Sequence, residues 1–161
     1  MNMLQENNWL LSLGTFLPMV GVVLLMLMPK AQDKSVKLVA LFTSIATLAV
    51  GVYTAFRFDF DQAEKMQFVA NETWISVIKS SYFIGVDGIS LPLYLLSMVI
   101  TLLVVIYSLD HVPSPGKPKA FFSLLLVLQT GMAGTFIAQD LILFFVFFEL
   151  VLLPMFFMIG V

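Results

Sequence analysis

Five blocks of nearly unbroken apolar sequence, at about 9–28, 36–56, 89–108, 120–138 and 141–160, limit what this chain can become. A helix rises ~1.5 Å per residue and the hydrocarbon core of a bilayer is ~30 Å thick, so roughly 20 residues span it. Each block is long enough. Lipid offers no partner to a backbone N–H or C=O, and a helix satisfies those groups within itself. The blocks therefore predict an all-α, polytopic transmembrane bundle of five spans, forming a single domain over residues 1–161. Composition agrees: 11% of the residues are charged, against roughly 25% in soluble domains. The first block reads as a permanent span, because residues 1–8 carry no positive charge and no small-residue cleavage site precedes the next helix.

The same composition removes several classes of function. A net charge of -2, spread over loops, supplies no basic patch for nucleic acid. The absence of cysteine excludes disulfides, thiolate metal sites and a cysteine nucleophile. A single histidine, His111, makes no haem or zinc cluster, and its place beside Asp110 reads as a solvated turn, the alternative being a proton relay. There is no glycine-rich phosphate loop, no Ser/His/Asp set and no nicotinamide fingerprint. No cofactor or metal is expected in this chain, and redox chemistry falls to a partner.

Lysine and arginine set the expected orientation. Lys30, Lys34 and Lys37 lie between the first two blocks, and Lys117 and Lys119 precede the fourth. The intervening segment 57–88 dilutes Arg57, Lys65 and Lys79 with Asp59, Asp61, Glu64, Glu72 and Asp87. Basic residues favour the cytoplasmic side, so the N-terminus is expected outside and Val161 inside. Segment 57–88 alternates polar with apolar and aromatic residues, which predicts short strands or an interfacial hairpin, with Trp74 and Tyr82 near the headgroups. Helix breaks are expected at Pro29, at Gly85 and Gly88, and across 113–118. Asn71-Glu-Thr73 matches a glycosylation sequon, a pattern short enough to arise by chance.

Within this frame Glu149 demands explanation. It is the one charge in Leu141-Ile-Leu-Phe-Phe-Val-Phe-Phe-Glu149-Leu-Val-Leu-Leu-Pro154-Met-Phe-Phe-Met-Ile-Gly160. An ionisable residue inside the membrane costs several kcal/mol and is a functional-site hypothesis by default. Gln129 lies ten residues before Gln139 and Glu149 ten after it. If 139–140 is the tip of a helical hairpin, both side chains sit about 15 Å below it. Gln129 is thus a candidate polar partner. Thr130, Gly131, Gly134 and Thr135 thin the fourth helix at that depth, which allows close helix approach. Pro154 cannot donate to the carbonyl of Leu150, so a kink is expected beside Glu149. A desolvated carboxyl prefers its neutral form, so Glu149 can hold a proton and release it when a cation or water approaches. The alternative is a neutral carboxyl bonded to Gln129 as helix glue. Asp140 reads as the cap of the fifth helix, the alternative being a proton exit. Asp87 with Ser90 and Pro92 reads as the start of the third.

Gly85-Val-Asp-Gly-Ile-Ser-Leu-Pro92, Thr130-Gly131 and the run from Asp140 through Glu149 to Pro154-Met together resemble the antiporter-like membrane subunits of respiratory complex I. Pro92 and the spacing from Glu149 to Pro154-Met are most similar to the chain M type, the bacterial equivalent of mitochondrial NADH dehydrogenase subunit 4. Chloroplast-type NADH dehydrogenases and multi-subunit sodium/proton antiporters share related motifs. The resemblance covers about residues 82–160.

It implies a proton-translocating membrane-arm subunit of an NADH:quinone oxidoreductase in a bacterial cytoplasmic membrane. NADH, FMN, iron–sulfur clusters and quinone would then belong to partner subunits. The family's fifth-helix glutamate falls on Glu149, which would modulate a lysine on a later helix. Every lysine here lies in a loop or at a membrane edge, so the resemblance implies that this is the N-terminal portion of a longer subunit or one half of a split one. The alternatives are a subunit of a sodium/proton antiporter, or a non-catalytic assembly module held to its neighbours through the thin face of the fourth helix.

Overall fold

The computed structural model describes residues 9–29, 33–112 and 117–160. Five helices occupy them: α1 (Trp9–Leu27), α2 (Asp33–Arg57), α3 (Ser90–Ser108), α4 (Pro118–Ile137) and α5 (Leu141–Ile159). All five are long and apolar enough to cross a membrane. The chain is therefore an all-α integral membrane bundle. α1 ends before Pro29, and Pro118 opens α4 in its first turn, where a missing N–H breaks no intrahelical bond. Pro18 and Pro154 lie inside α1 and α5. Lys30 and the breaks expected at Pro113 and Pro115 fall outside the described residues.

Between α2 and α3 the chain forms an antiparallel hairpin, β1 (Gln67–Ile75) and β2 (Ser80–Val86), with Gln67 opposite Val86 and Thr73 opposite Ser81. The hairpin is buried at its open end rather than along one face: Gln67 and Phe68 of β1 and Ile84, Gly85 and Val86 of β2 are buried in succession, while Asn71 to Trp74 are exposed. Phe68, Ile84 and Val86 lie fully within the core. Phe68 is held at φ 54°, beside the irregularity between Gln67 and Ala70. That backbone region is unfavourable for a bulky residue. Burial of the ring is the compensating gain.

The bundle interior has two apolar clusters. One lies at the hairpin end and joins Leu10 and Leu11 of α1 to Phe68, Ile84, Leu91, Tyr94, Met98, Ala133, Ile137 and Leu143. The other lies at the opposite end and joins Val22, Leu25, Val36, Ala40, Val105, Phe122, Leu125 and Leu126. Two lysines close that opposite end. Lys119 Nζ donates to the carbonyls of Met26 at 2.9 Å and Met28 at 2.7 Å, where α1 ends, and Lys37 Nζ donates to the carbonyl of Leu109 just after α3. Cations at helix C-termini satisfy the last carbonyls and oppose the helix dipole.

α5 packs on α4 through two glycines. A Cβ on Gly134 would lie 2.1 Å from Cδ1 of Phe147, and one on Gly131 would lie 2.8 Å from Cγ2 of Val151 and 3.0 Å from its backbone nitrogen. Neither position has room for a side chain. The thin face of α4 is thus filled by α5, so it does not offer the free docking face that the assembly-module expectation required. Gly134→Val should force the Phe147 ring aside and lower the thermal unfolding midpoint, at a cost of about 1–3 kcal/mol for overpacking. Adding Phe147→Ala should recover part of that loss, since it removes the ring that clashes. Melting of the purified single and double variants in detergent checks both expectations.

Candidate functional site

The hairpin fixes where α4 turns into α5. Ala138 pairs with Ile84 as an isolated bridge. The Gln139 amide donates to the Phe83 carbonyl at 2.8 Å, and its side-chain Nε2 donates to the Gly85 carbonyl at 3.2 Å. Asp140 completes the strap. Its Oδ1 accepts from the amides of Ile142 at 2.9 Å and Leu143 at 3.0 Å, which start α5, and from Ser80 Oγ at 3.0 Å, while Oδ2 accepts from the Ser81 amide at 3.3 Å. The Leu143 amide, followed by the bonds from Ser81, Ser80 and Ile142, holds this carboxyl below the usual aspartate range.

Asp87 does the same work at α3. Its Oδ1 accepts from the amides of Ser90 at 2.7 Å and Ile89 at 3.1 Å, and Ser90 Oγ accepts from the Asp87 amide at 2.9 Å. The Ser90 bonds hold the Asp87 carboxyl below its ordinary value. Pro92 follows in the first turn of α3, as Pro118 does in α4. His111 stacks on Tyr107 with ring centroids 4.5 Å apart, and its Nδ1 lies 3.2 Å from the Tyr107 carbonyl.

From that anchored start α5 descends with Leu143, Phe147 and Pro154 buried and Leu150 and Val151 half-buried. A helix turns ~100° per residue, so Glu149 lies about 200° from both Phe147 and Val151. It is exposed, on the side of α5 shared with Phe145, Phe148, Leu152 and Phe156. Among the described residues no hydrogen bond or ion pair reaches its carboxyl. Pro154, seven residues after Phe147 and so on the same side of the helix, is buried, and α5 continues past it to Ile159.

Gln129 goes the other way. It is fully buried, and neither Oε1 nor Nε2 has a partner. Gly131 faces α5, and two residues along a helix are again about 200° apart. Gln129 is therefore turned into the space among α1, α2 and α3. The depth-matched pair expected from the sequence is not a contact. Equal depth does not set rotation, and the rotation of α4 separates the two groups, so the helix-glue alternative for Glu149 loses its partner. A cleft of about 460 Å³ between α1, the hairpin and α5, lined by Phe16, Trp74, Tyr82 and Phe147 with Glu72, includes neither residue.

One set of polar residues escaped the sequence reading. Ser44, Thr47, Gly51 and Thr54 recur at helical spacing and form the buried stripe of α2. In lipid such a stripe points inward, so its spacing was the available signal.

Residues 12–135 match the family model described as NADH-ubiquinone oxidoreductase chain 4, amino terminus. The chain is 35% identical over 153 residues to an NAD(P)H-quinone oxidoreductase chain 4 of Prochlorococcus marinus, an alignment covering 94% of this chain and 28% of that protein. It is 32% identical over 147 residues to the NADH-ubiquinone oxidoreductase chain 4 of Marchantia polymorpha, covering 90% and 29%. It is 34% identical over 117 residues to the F(420)H(2) dehydrogenase subunit M of Methanosarcina mazei, covering 73% and 23%. The chain spans about a quarter of the length of the curated relatives it matches.

A carboxyl whose value is lowered by folding adds stability above its ordinary range and loses it as pH falls through the depressed value. The Asp140 strap should therefore hold at neutral pH and fail only well below pH ~4. Asp140→Ala should remove it at every pH. The Ser81, Ile142 and Leu143 amides should then lose hydrogen-exchange protection at pH 7, while amides of the α4 interior keep theirs. Unchanged protection in the variant would contradict the strap.

Proposed function

The chain belongs to the NADH-ubiquinone oxidoreductase chain 4 family, and from that premise we propose that it is the amino-terminal part of a proton-translocating membrane-arm subunit of an NADH:quinone oxidoreductase. Glu149 is its intramembrane protonatable group. The observation that carries this reading is the placement of Glu149 on the exposed side of an otherwise apolar span, away from the α1–α4 interior. A carboxylate facing hydrocarbon is costly, while one facing a cation or a water-filled cavity is tolerated. The outward side of α5 thus fits a contact surface for the remainder of the subunit, or for a split partner, which supplies the cation. Among the described residues the lysines sit outside the middle of every span.

The chemistry is a charge switch. A cation brought to about 4 Å interacts with a carboxylate by about 4 kcal/mol at an effective dielectric constant near 20. Approach of the cation expels the proton from Glu149, and its withdrawal restores it. NADH, FMN, iron–sulfur clusters and quinone act in partner subunits, and the membrane is a bacterial cytoplasmic one with the hairpin outside.

Glu149→Gln keeps the shape and removes the titration. In the native-length polypeptide within its complex it should leave assembly and NADH oxidation in place and abolish this subunit's share of proton translocation. A normal proton-to-electron ratio in the variant would overturn the assignment. Sodium-dependent exchange without NADH or quinone would point instead to the sodium/proton antiporter alternative.

A further inference from the structure

Four fully buried polar side chains lack a hydrogen bond of normal geometry: Thr15, Ser44, Tyr94 and Gln129, the first and third having their hydroxyls near each other. Each belongs to a different helix, α1 to α4 in turn. They fall within one stretch of the bundle axis. A Cβ on Gly21 would touch Thr43 and Leu126, whereas one on Gly14 would touch the Tyr94 hydroxyl, Val50 and Met98. α1 thus runs antiparallel to α2 and α4. Ser44 and Gln129 lie just past the Gly21 level toward Gly14, and Thr15 follows Gly14 directly. Seven residues of α1 cover this interval, about 10 Å along the bundle axis.

The neighbouring hydroxyls at this level are already satisfied. Thr47 donates to the Thr43 carbonyl at 2.8 Å, Ser97 to Tyr94 at 2.7 Å and Thr101 to Ser97 at 2.8 Å. The four orphaned groups, by contrast, present hydroxyls that donate and accept, an amide N–H pair and an amide carbonyl. Pro18 adds an acceptor, since it cannot donate to the Gly14 carbonyl one turn back. A buried donor or acceptor left unpaired carries its full desolvation cost. A buried water meets such groups with about three hydrogen bonds. No carboxylate, amine or imidazole is among the four, so the chemistry fits a neutral ligand.

The level is closed at both ends. Leu11 and Leu91 belong to the apolar cluster on the hairpin side, which also takes the Tyr94 ring while its hydroxyl reaches Gly14, and Val22, Leu25, Val105 and Phe122 belong to the cluster on the other. We propose that Gln129, Tyr94, Thr15 and Ser44 line an enclosed internal water site, sealed between two apolar plugs and turned away from Glu149. Sealed in this way, the site bridges α1–α4 and conducts no protons along the bundle. It rests on packing within these four helices and is independent of the role of Glu149.

Radiolytic hydroxyl labelling of the complex containing the native-length polypeptide tests it, because radicals formed from a bound water mark its immediate neighbours. Tyr94 should label several-fold faster than Phe122, which is equally buried but lies in an apolar plug. Gln129→Leu should bring Tyr94 down to the rate of Phe122, whereas Glu149→Gln should leave it unchanged. Labelling of Tyr94 at the Phe122 rate in the unaltered protein would overturn the proposal, as would fast labelling that survives Gln129→Leu. If Gln129→Leu fails to assemble, the unaltered complex at water-resolving resolution decides. Ordered water within hydrogen-bond distance of the Gln129 amide supports the site, and a direct Gln129–Tyr94 bond with no water overturns it.

Discussion

The close approach of α5 to α4 at Gly131 and Gly134 governs the rest of the arrangement. Between helices in lipid there is little hydrophobic drive, so van der Waals fit decides how they meet. Two missing side chains let Phe147 and the backbone at Leu150–Val151 settle against α4. That contact sets the rotation of α5 about its own axis. Once Phe147 and Val151 are committed to α4, Glu149 has one direction left, outward.

Depth is set separately, by the hairpin. β2 receives the α4–α5 turn through the isolated bridge at Ala138 and the bond from the Gln139 amide, and Asp140 ties that turn to Ser80 and Ser81 while capping α5. A carboxylate with four donors is a firm anchor, because each bond stabilises its charged form. α4 then separates two polar environments. One side holds Gln129 in the closed interior of α1–α4, and beyond the glycine side lies α5, whose far face carries Glu149. The first environment joins helices to each other. The second is open to whatever covers α5.

Much of this was legible in the sequence. Helix lengths follow from hydrocarbon thickness, so the five spans were readable to within a few residues. The hairpin was visible as alternation in 57–88, and the helix starts at Asp87–Ser90 and Asp140 could be read from local capping chemistry. The facing of Gln129 and Glu149 was not. α5 is apolar around its whole circumference apart from Glu149, so it carries no amphipathic signal to fix its rotation. Half of the answer was nevertheless available, because Gln129 and Gly131 are two residues apart and cannot both face α5. The polar stripe of α2 was missed for a related reason. Serine and threonine look unremarkable singly, and only their recurrence at 44, 47 and 54 marks an inward face.

The account stands or falls on where Glu149 points in the native-length polypeptide. A photo-cross-linking residue at position 149, introduced into that polypeptide within its membrane, tests this directly. The account predicts capture of a segment outside residues 9–160, whether from the same subunit or a partner. Capture of α1, α2 or α3 would contradict it, since it would put Glu149 inside the bundle from which the glycine contact turns it away.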